Sequence, residues 1–326
     1  MIEMATAMTR LGTESAFQVL VQAKALEDKG GDIINLGIGQ PDFKTPNHIV
    51  EAAIKALRDG HHGYTPALGV SQLRQAVTAD IKNRNGVEIN PDNVLIVPGG
   101  KVTMFFAILM FGEPGLEIIY PNPGFPIYQS VINYSGAKAV PMPLYEKTGF
   151  SFNADEVLSL ITPRTRLIIL NSPANPTSGV VPRIELERLA RGLEDNPKIY
   201  ILSDEIYSRI LYDGMEHTSL LEFETIRDRV IVLNGWSKTY AMTGWRLGYG
   251  VWPSALIDVA ERLAINSHSC VNAPTQYAGL AALEGPQDAV NNMVASFNER
   301  RSVIVQELNS LPGIECYGSA GAFYAF

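Results

Sequence analysis

Short apolar runs alternate with amphipathic stretches along this chain. Val94-Leu95-Ile96-Val97, Leu167-Ile168-Ile169-Leu170, Ile199-Tyr200-Ile201-Leu202 and Val230-Ile231-Val232-Leu233 are brief and rich in β-branched residues. That pattern predicts strands buried on both faces. Helical spacing fills the intervals. Thr45-Pro46 reads as N-cap and first helical residue, with Val50, Ala53, Ile54 and Leu57 on one face and Gly60 as the stop. A second helix starts at Pro182 and carries Leu186, Leu189, Ala190 and Leu193 on one side. A longer pattern runs through Val290, Met293, Val294 and Phe297 to Ile304, Leu308 and Leu311. Strands alternating with helices predict an α/β fold whose mostly parallel sheet is covered on both faces.

The chain has 326 residues, more than one hydrophobic core usually serves, so a large domain plus a smaller one is expected. A net charge of −8 disfavours nucleic acid or an anionic membrane as the main partner. The N-terminus lacks an apolar core of signal-peptide length. The most apolar stretch, Met104 to Phe111, is far shorter than the ~20 residues of a membrane span. Cys270 and Cys316 are too few for a disulfide framework and fit a reducing cytoplasm. The five histidines show no metal spacing, so no metal is expected, and His61-His62 reads as a solvated loop.

The chemistry concentrates in the run Ser237-Lys238-Thr239-Tyr240-Ala241-Met242-Thr243-Gly244-Trp245-Arg246-Leu247-Gly248-Tyr249. Upstream lie Asn175-Pro176-Thr177 and Asp204-Glu205-Ile206-Tyr207. A lone lysine is most often a solvated surface residue. In this setting the run resembles the lysine signature of the class I/II pyridoxal-phosphate-dependent aminotransferases, aspartate/aromatic aminotransferase-like proteins of fold type I. The resemblance extends from about Leu11 to Phe326, with the motifs in family order.

The resemblance implies pyridoxal 5′-phosphate as cofactor, amino acids and 2-oxoacids as substrates, and two half-reactions run in ping-pong order. It assigns Lys238 as the amine that takes up the cofactor and then shuttles a proton. Asp204 becomes the anion against the pyridine nitrogen. Its neighbour Glu205 is the rival, but strand alternation sends Glu205 the other way. Asn175 and Tyr207 become donors to the cofactor's phenolate oxygen. Val94–Val97 followed by Pro98-Gly99-Gly100-Lys101 reads as strand, glycine turn and helix start, a setting for phosphate. Arg246 and Ser237 would join it there, and Tyr64 would reach the phosphate of a neighbouring subunit, giving a homodimer with shared sites. Phe125 takes the place of the ring-stacking aromatic, although core packing is its rival role. Gly39 matches a glycine beside the substrate carboxylate. Lys101 matches a position where some relatives bind a side-chain carboxylate; a lysine near the phosphate or facing solvent is an equal alternative.

Several positions depart from the family pattern. Ser178 precedes Gly179 where Gly commonly follows Thr directly, and Gly235 stands where many relatives carry a hydroxyl. Phe17 replaces the small hydroxyl of relatives selective for acidic substrates, which weakens an aspartate-specific reading. The resemblance places the cofactor-binding domain at 45–285. Residues 1–44 would join the small α/β domain, and 286–326 would form the interdomain helix and the start of that domain, whose C-terminal part, with its carboxylate-binding arginine, would be missing here. The last residues, Gly321 to Phe326, read as a strand. A lyase or synthase on the same scaffold is the alternative chemistry, since the cofactor contacts serve a common carbanion. A non-catalytic, cofactor-sensing regulatory domain lacks the basic segment expected of it.

Overall fold

The computed structural model describes residues 4–326. In chain order the elements are α1 (Ser15–Glu27), α2 (Asn47–Arg58), α3 (Ser71–Asn85), β1 (Val94–Val97), α4 (Lys101–Phe111) and β2 (Glu117–Asn122). Then come α5 (Ile127–Ser135), β3 (Lys138–Pro143), α6 (Ala154–Ser159), β4 (Thr165–Asn171), α7 (Arg183–Leu193) and β5 (Tyr200–Asp204). The last are β6 (Val230–Gly235), β7 (Gly248–Val251), α8 (Ile257–Ser267), α9 (Ala273–Glu284) and α10 (Asp288–Ser310). The strands form one sheet of order β1-β7-β6-β5-β4-β2-β3. Only β7 runs against its neighbours; the pairs β6–β5, β5–β4, β4–β2 and β2–β3 are parallel.

Alternation along each strand divides the core in two. Val94, Ile96, Ile168, Leu170, Ile201, Val230 and Val232 face one layer, with side chains of α3, α7 and α9. Leu95, Val97, Leu167, Ile169, Leu202, Ile231 and Leu233 face the other, packed by α4, α5 and α8. Apolar residues in consecutive positions are therefore explained: each strand is buried on both sides. A third cluster joins Tyr207, Ile210 and Tyr212 to Met293 and Phe297 of α10 and to Ala322, with Phe43 and Phe323 against it.

Two local expectations need correction. Thr45 does not cap α2, because its hydroxyl donates to the Ala241 carbonyl (2.8 Å) and accepts from the Trp245 indole N–H (3.0 Å). The helix instead starts after Pro46 and buries Ile49, Ala53 and Ala56, leaving Leu57 55% exposed. The segment 321–326 is not a strand; only Gly321 forms an isolated bridge, to Leu211. Backbone bonds from Gly321 N–H to the Ser178 carbonyl (3.1 Å) and from Ala322 N–H to the Ile210 carbonyl (2.9 Å) hold it, joined by side chains. The Ser178 hydroxyl accepts from Tyr324 N–H, the Ser319 hydroxyl donates to the Tyr324 carbonyl (2.7 Å), and Tyr212 donates to the Ala322 carbonyl. No helix among the described residues is long and apolar enough to cross a membrane.

Candidate active site

Every strand except β7 points its C-terminal end to the same edge of the sheet, the edge where such sheets bind ligands. Four turns meet there: Pro98–Gly100 after β1, Ser172–Asn175 after β4, Glu205–Tyr207 after β5 and Trp236–Lys238 after β6.

Lys238 sits in the turn after β6. Its ammonium donates to the Gly39 carbonyl and lies 5.8 Å from the Tyr207 ring centre and 5.7 Å from that of Phe323. Burial pulls the amine down to about 8, against the carboxylates of Glu14 and Asp204, which pull it up. Nearby Arg246 and Lys101 add to the lowering. A buried amine at the lower end of the lysine range is suited to nucleophilic attack and proton transfer.

Asp204 ends β5 and is buried. Tyr128 donates to its Oδ2 at 2.7 Å, and the Ile206 N–H donates to Oδ1 at 3.2 Å. Burial raises this carboxyl to about 6; the two donors lower it, and adjacent Glu205 raises it further. Glu205 turns to the opposite side of the sheet, as strand alternation requires. There it accepts from Ser203 (2.9 Å) and Ser219 (2.9 Å), and its Oε2 lies 3.0 Å from His217 Nε2. Burial pushes Glu205 up, but His217 and the two hydroxyls outweigh it and hold the carboxyl below the usual range.

Tyr207 is buried, and its hydroxyl shares a hydrogen bond with that of Tyr324. Burial pushes both phenols up, Tyr324 to about 12. A Cβ on Gly39 would lie 2.5 Å from the Tyr324 hydroxyl, so only glycine lets that phenol pass. Asn175 is positioned through its backbone: its N–H donates to Asn171 Oδ1 (2.7 Å), while Asn171 Nδ2 donates to the Asp204 carbonyl (3.0 Å).

The turn after β1 brings Gly99 against Arg246. Gly99 has φ +90°, and a Cβ there would come within 2.2 Å of Arg246 Nη2. Gly100 is the N-cap of α4 and, like Gly99, presents backbone at a helix start. Ser237 is buried one residue before Lys238. The Gly235 position has no room for a side chain, since a Cβ would meet Gly248 Cα at 2.8 Å. Phe125 stands edge-on to Tyr128, with centroids 5.7 Å apart. Lys101 pairs with Glu14 at 3.1 Å and lies 5.0 Å from the Phe125 ring centre. Tyr64 stands apart from all of these, 95% exposed.

This donor set fits a phosphorylated pyridine aldehyde. The guanidinium and the helix start suit a dianion, the buried carboxylate suits a ring N–H, and the amine suits the aldehyde. The comparisons with known proteins decide the family. The model of "Aminotransferase class I and II" matches residues 31–326. The chain belongs to this family.

Among its relatives is an aspartate/prephenate aminotransferase from Nitrosomonas europaea, 39% identical over 94% of this chain and 78% of that protein. An aspartate aminotransferase from Sulfurisphaera tokodaii is 40% identical over 94% of this chain and 76% of its own length. The solved aspartate aminotransferase of Rhizobium meliloti superposes with a TM-score of 0.94 at 33% identity, covering 99% of this chain and 81% of that one. The protein is accordingly a fold-type-I, pyridoxal-phosphate-dependent aminotransferase that moves an amino group between an amino acid and a 2-oxoacid.

Four residues of this site escaped the sequence reading: Tyr128, Asn171, Tyr324 and Glu14. Tyr128 had only a faint signal, three positions after Phe125, whose ring it meets edge-on. Asn171 closes β4, at the same edge of the sheet as Asp204. Tyr324 and Glu14 come from the two ends of the chain, and no local spacing ties them to Lys238.

Proposed function

We propose that the aminotransferase works through Lys238, Asp204 and Tyr207 on donors that include apolar and aromatic amino acids as well as acidic ones. The observation that carries this reading is the meeting of Lys238 and Asp204 at one sheet edge, with the amine lowered to about 8 and the carboxylate buried behind it. Bound pyridoxal phosphate supplies an aldehyde for amine capture and a ring that accepts electrons from the substrate Cα. Lys238 would hold the cofactor and would move the proton at the substrate Cα. Asp204, steadied by Tyr128, keeps the ring nitrogen protonated. Tyr207 and Asn175 would donate to the phenolate oxygen, and Arg246, Ser237, Gly99 and Gly100 would hold the phosphate. Phe125 would lie against the cofactor ring, and Gly39 would line the substrate carboxylate.

The active form in this reading is a cytoplasmic homodimer in which Tyr64 completes the phosphate site of its partner. Its near-complete exposure supports that role, and the two free cysteines suit a reducing compartment. Residues 45–285 form the cofactor domain, 1–44 join the small domain, and 286–326 supply the interdomain helix and the start of that domain; the packing of Phe43 on Phe297, 5.4 Å between centroids, supports that grouping.

The test is Lys238→Ala. Borohydride should fix the cofactor covalently to the wild-type chain at Lys238, as read by peptide mass. In Lys238→Ala it should fix none, and transamination should fall by at least about a thousandfold. Unimpaired turnover by this variant would remove Lys238 from the mechanism.

A further inference from the structure

The carboxylate of Glu14 pairs with Lys101, the cation that the resemblance offers to an acidic substrate. Glu14 is the N-cap residue of α1 and makes no capping bond with its side chain. Instead it reaches Lys101 on α4 at 3.1 Å, and only 19% of its side chain is exposed. The Lys101 ammonium lies between two aromatic rings, 5.0 Å from the centre of Phe125 and 5.8 Å from that of Phe17. After burial, Glu14 is the strongest influence on the Lys238 amine, and it also acts on the Tyr324 phenol. Its carboxylate is therefore mostly buried, paired with Lys101, and close enough to act on Lys238 and Tyr324.

The segment carrying Glu14 is pinned. Gly12 N–H donates to the Ser130 hydroxyl at 2.9 Å. Arg10 donates to the carbonyls of Asn133 (2.8 Å) and Tyr134 (3.0 Å) at the end of α5. Lys101 opens α4, where the helix dipole disfavours a cation, so a neighbouring carboxylate relieves it.

We propose that Glu14 is a specificity-determining residue that turns the distal end of the substrate site against anionic side chains. This deepens the donor range proposed above and rests on that reading. A dicarboxylic donor reaches Lys101 only by displacing Glu14, and otherwise meets its negative charge. An apolar or aromatic side chain meets the rings of Phe17 and Phe125. A side chain ending in an N–H or O–H donor, such as an indole, a phenol or an amide, gains an acceptor in the Glu14 carboxylate. The favoured class is thus neutral donors, aromatic ones foremost, over aspartate and glutamate.

The experiment compares Glu14→Gln with wild-type holoenzyme on aspartate and phenylalanine. The amide keeps the shape and removes the charge, so the aspartate-to-phenylalanine ratio of kcat/KM should rise about tenfold, the scale of one charge-assisted contact regained. Glu88→Gln removes the same charge before β1, at the opposite end of the sheet, and should leave the ratio in place. A rise below threefold, or a fall, overturns the proposal. Glu14→Ala should move the ratio the same way and substitutes if the amide is poorly tolerated. Calorimetric titration with succinate gives a reading independent of turnover: Glu14→Gln should bind it about tenfold more tightly than wild type, and unchanged affinity overturns the proposal. If neither protein transaminates any donor, the proposed function fails, while the succinate titration still decides the role of Glu14.

Discussion

Asp204 is the residue where function costs stability. Its carboxyl is buried with two donors, too few to offset lost hydration, and it is raised to about 6 against an ordinary 3.8. A raised carboxyl binds its proton more tightly in the folded state than in the unfolded one. The stabilisation from that proton is fully present below pH 3.8 and is lost as pH rises through 6. Two pH units correspond to at most ~3 kcal/mol. In cofactor-free protein, wild type should therefore lose stability relative to Asp204→Asn between pH 4 and pH 6, as read by urea unfolding at each pH. Taking the difference cancels the other carboxylates, several of which titrate below their usual range. A flat difference across that interval would mean that Asp204 is solvated. In the role proposed for Asp204, a protonated pyridine nitrogen against this carboxylate would offset that penalty.

At the scale of elements, the site depends on how closely β7 and the start of α4 approach each other. A Cβ on Gly248 would lie 2.3 Å from Gly100 N, a backbone atom that cannot move without its helix. A Cβ on Gly99 would meet only the tip of Arg246, a flexible group, but its φ of +90° strains any other residue by roughly 1–2 kcal/mol. Gly248→Ala should thus lower the melting temperature more than Gly99→Ala. Gly99→Ala should chiefly weaken cofactor binding, tenfold or more by titration, because relief of the clash moves Arg246. Equal thermal losses in the two variants would show that the contact with Gly100 is soft. The strands around this junction were legible in the sequence because burial on both faces leaves unbroken apolar runs, as in β1, β4, β5 and β6. The helix Arg183–Leu193 was equally plain, starting after Pro182 with the expected residues inward. The cap of α2 was not, since Thr45 spends its hydroxyl on Ala241 and Trp245, nearly two hundred residues away. The final segment looked like a strand for a similar reason: its alternating apolar residues fill the cluster around Tyr207 and Phe297, and its backbone is held by Ser178, Ser319 and Tyr212. Lys238, Asp204 and Arg246 were marked by motifs, whereas Glu14 and Tyr324 reach the site only through tertiary folding.

The whole molecule exposes a set of large apolar side chains. Tyr64 is 95% exposed, Ile34 84% and Leu36 82%, and Phe17, Val19 and Val21 of α1 are exposed as well. Large apolar side chains exposed in such number support the dimer proposed above. A two-fold dimer that covers them is the simplest closed assembly, and Tyr64 then belongs to the partner's site. Sedimentation should give a dimer at micromolar concentration, and co-expression of two defective chains tests the sharing itself. Lys238→Ala lacks the amine; Tyr64→Glu sets a carboxylate against the phosphate and repels it. Each chain alone should be nearly inactive. In hybrid dimers, one site combines an intact Lys238 with an intact Tyr64 from the other chain, so random pairing restores roughly a quarter of the wild-type sites. If each subunit uses its own Tyr64, every site carries a lesion in any combination, and co-expression restores nothing.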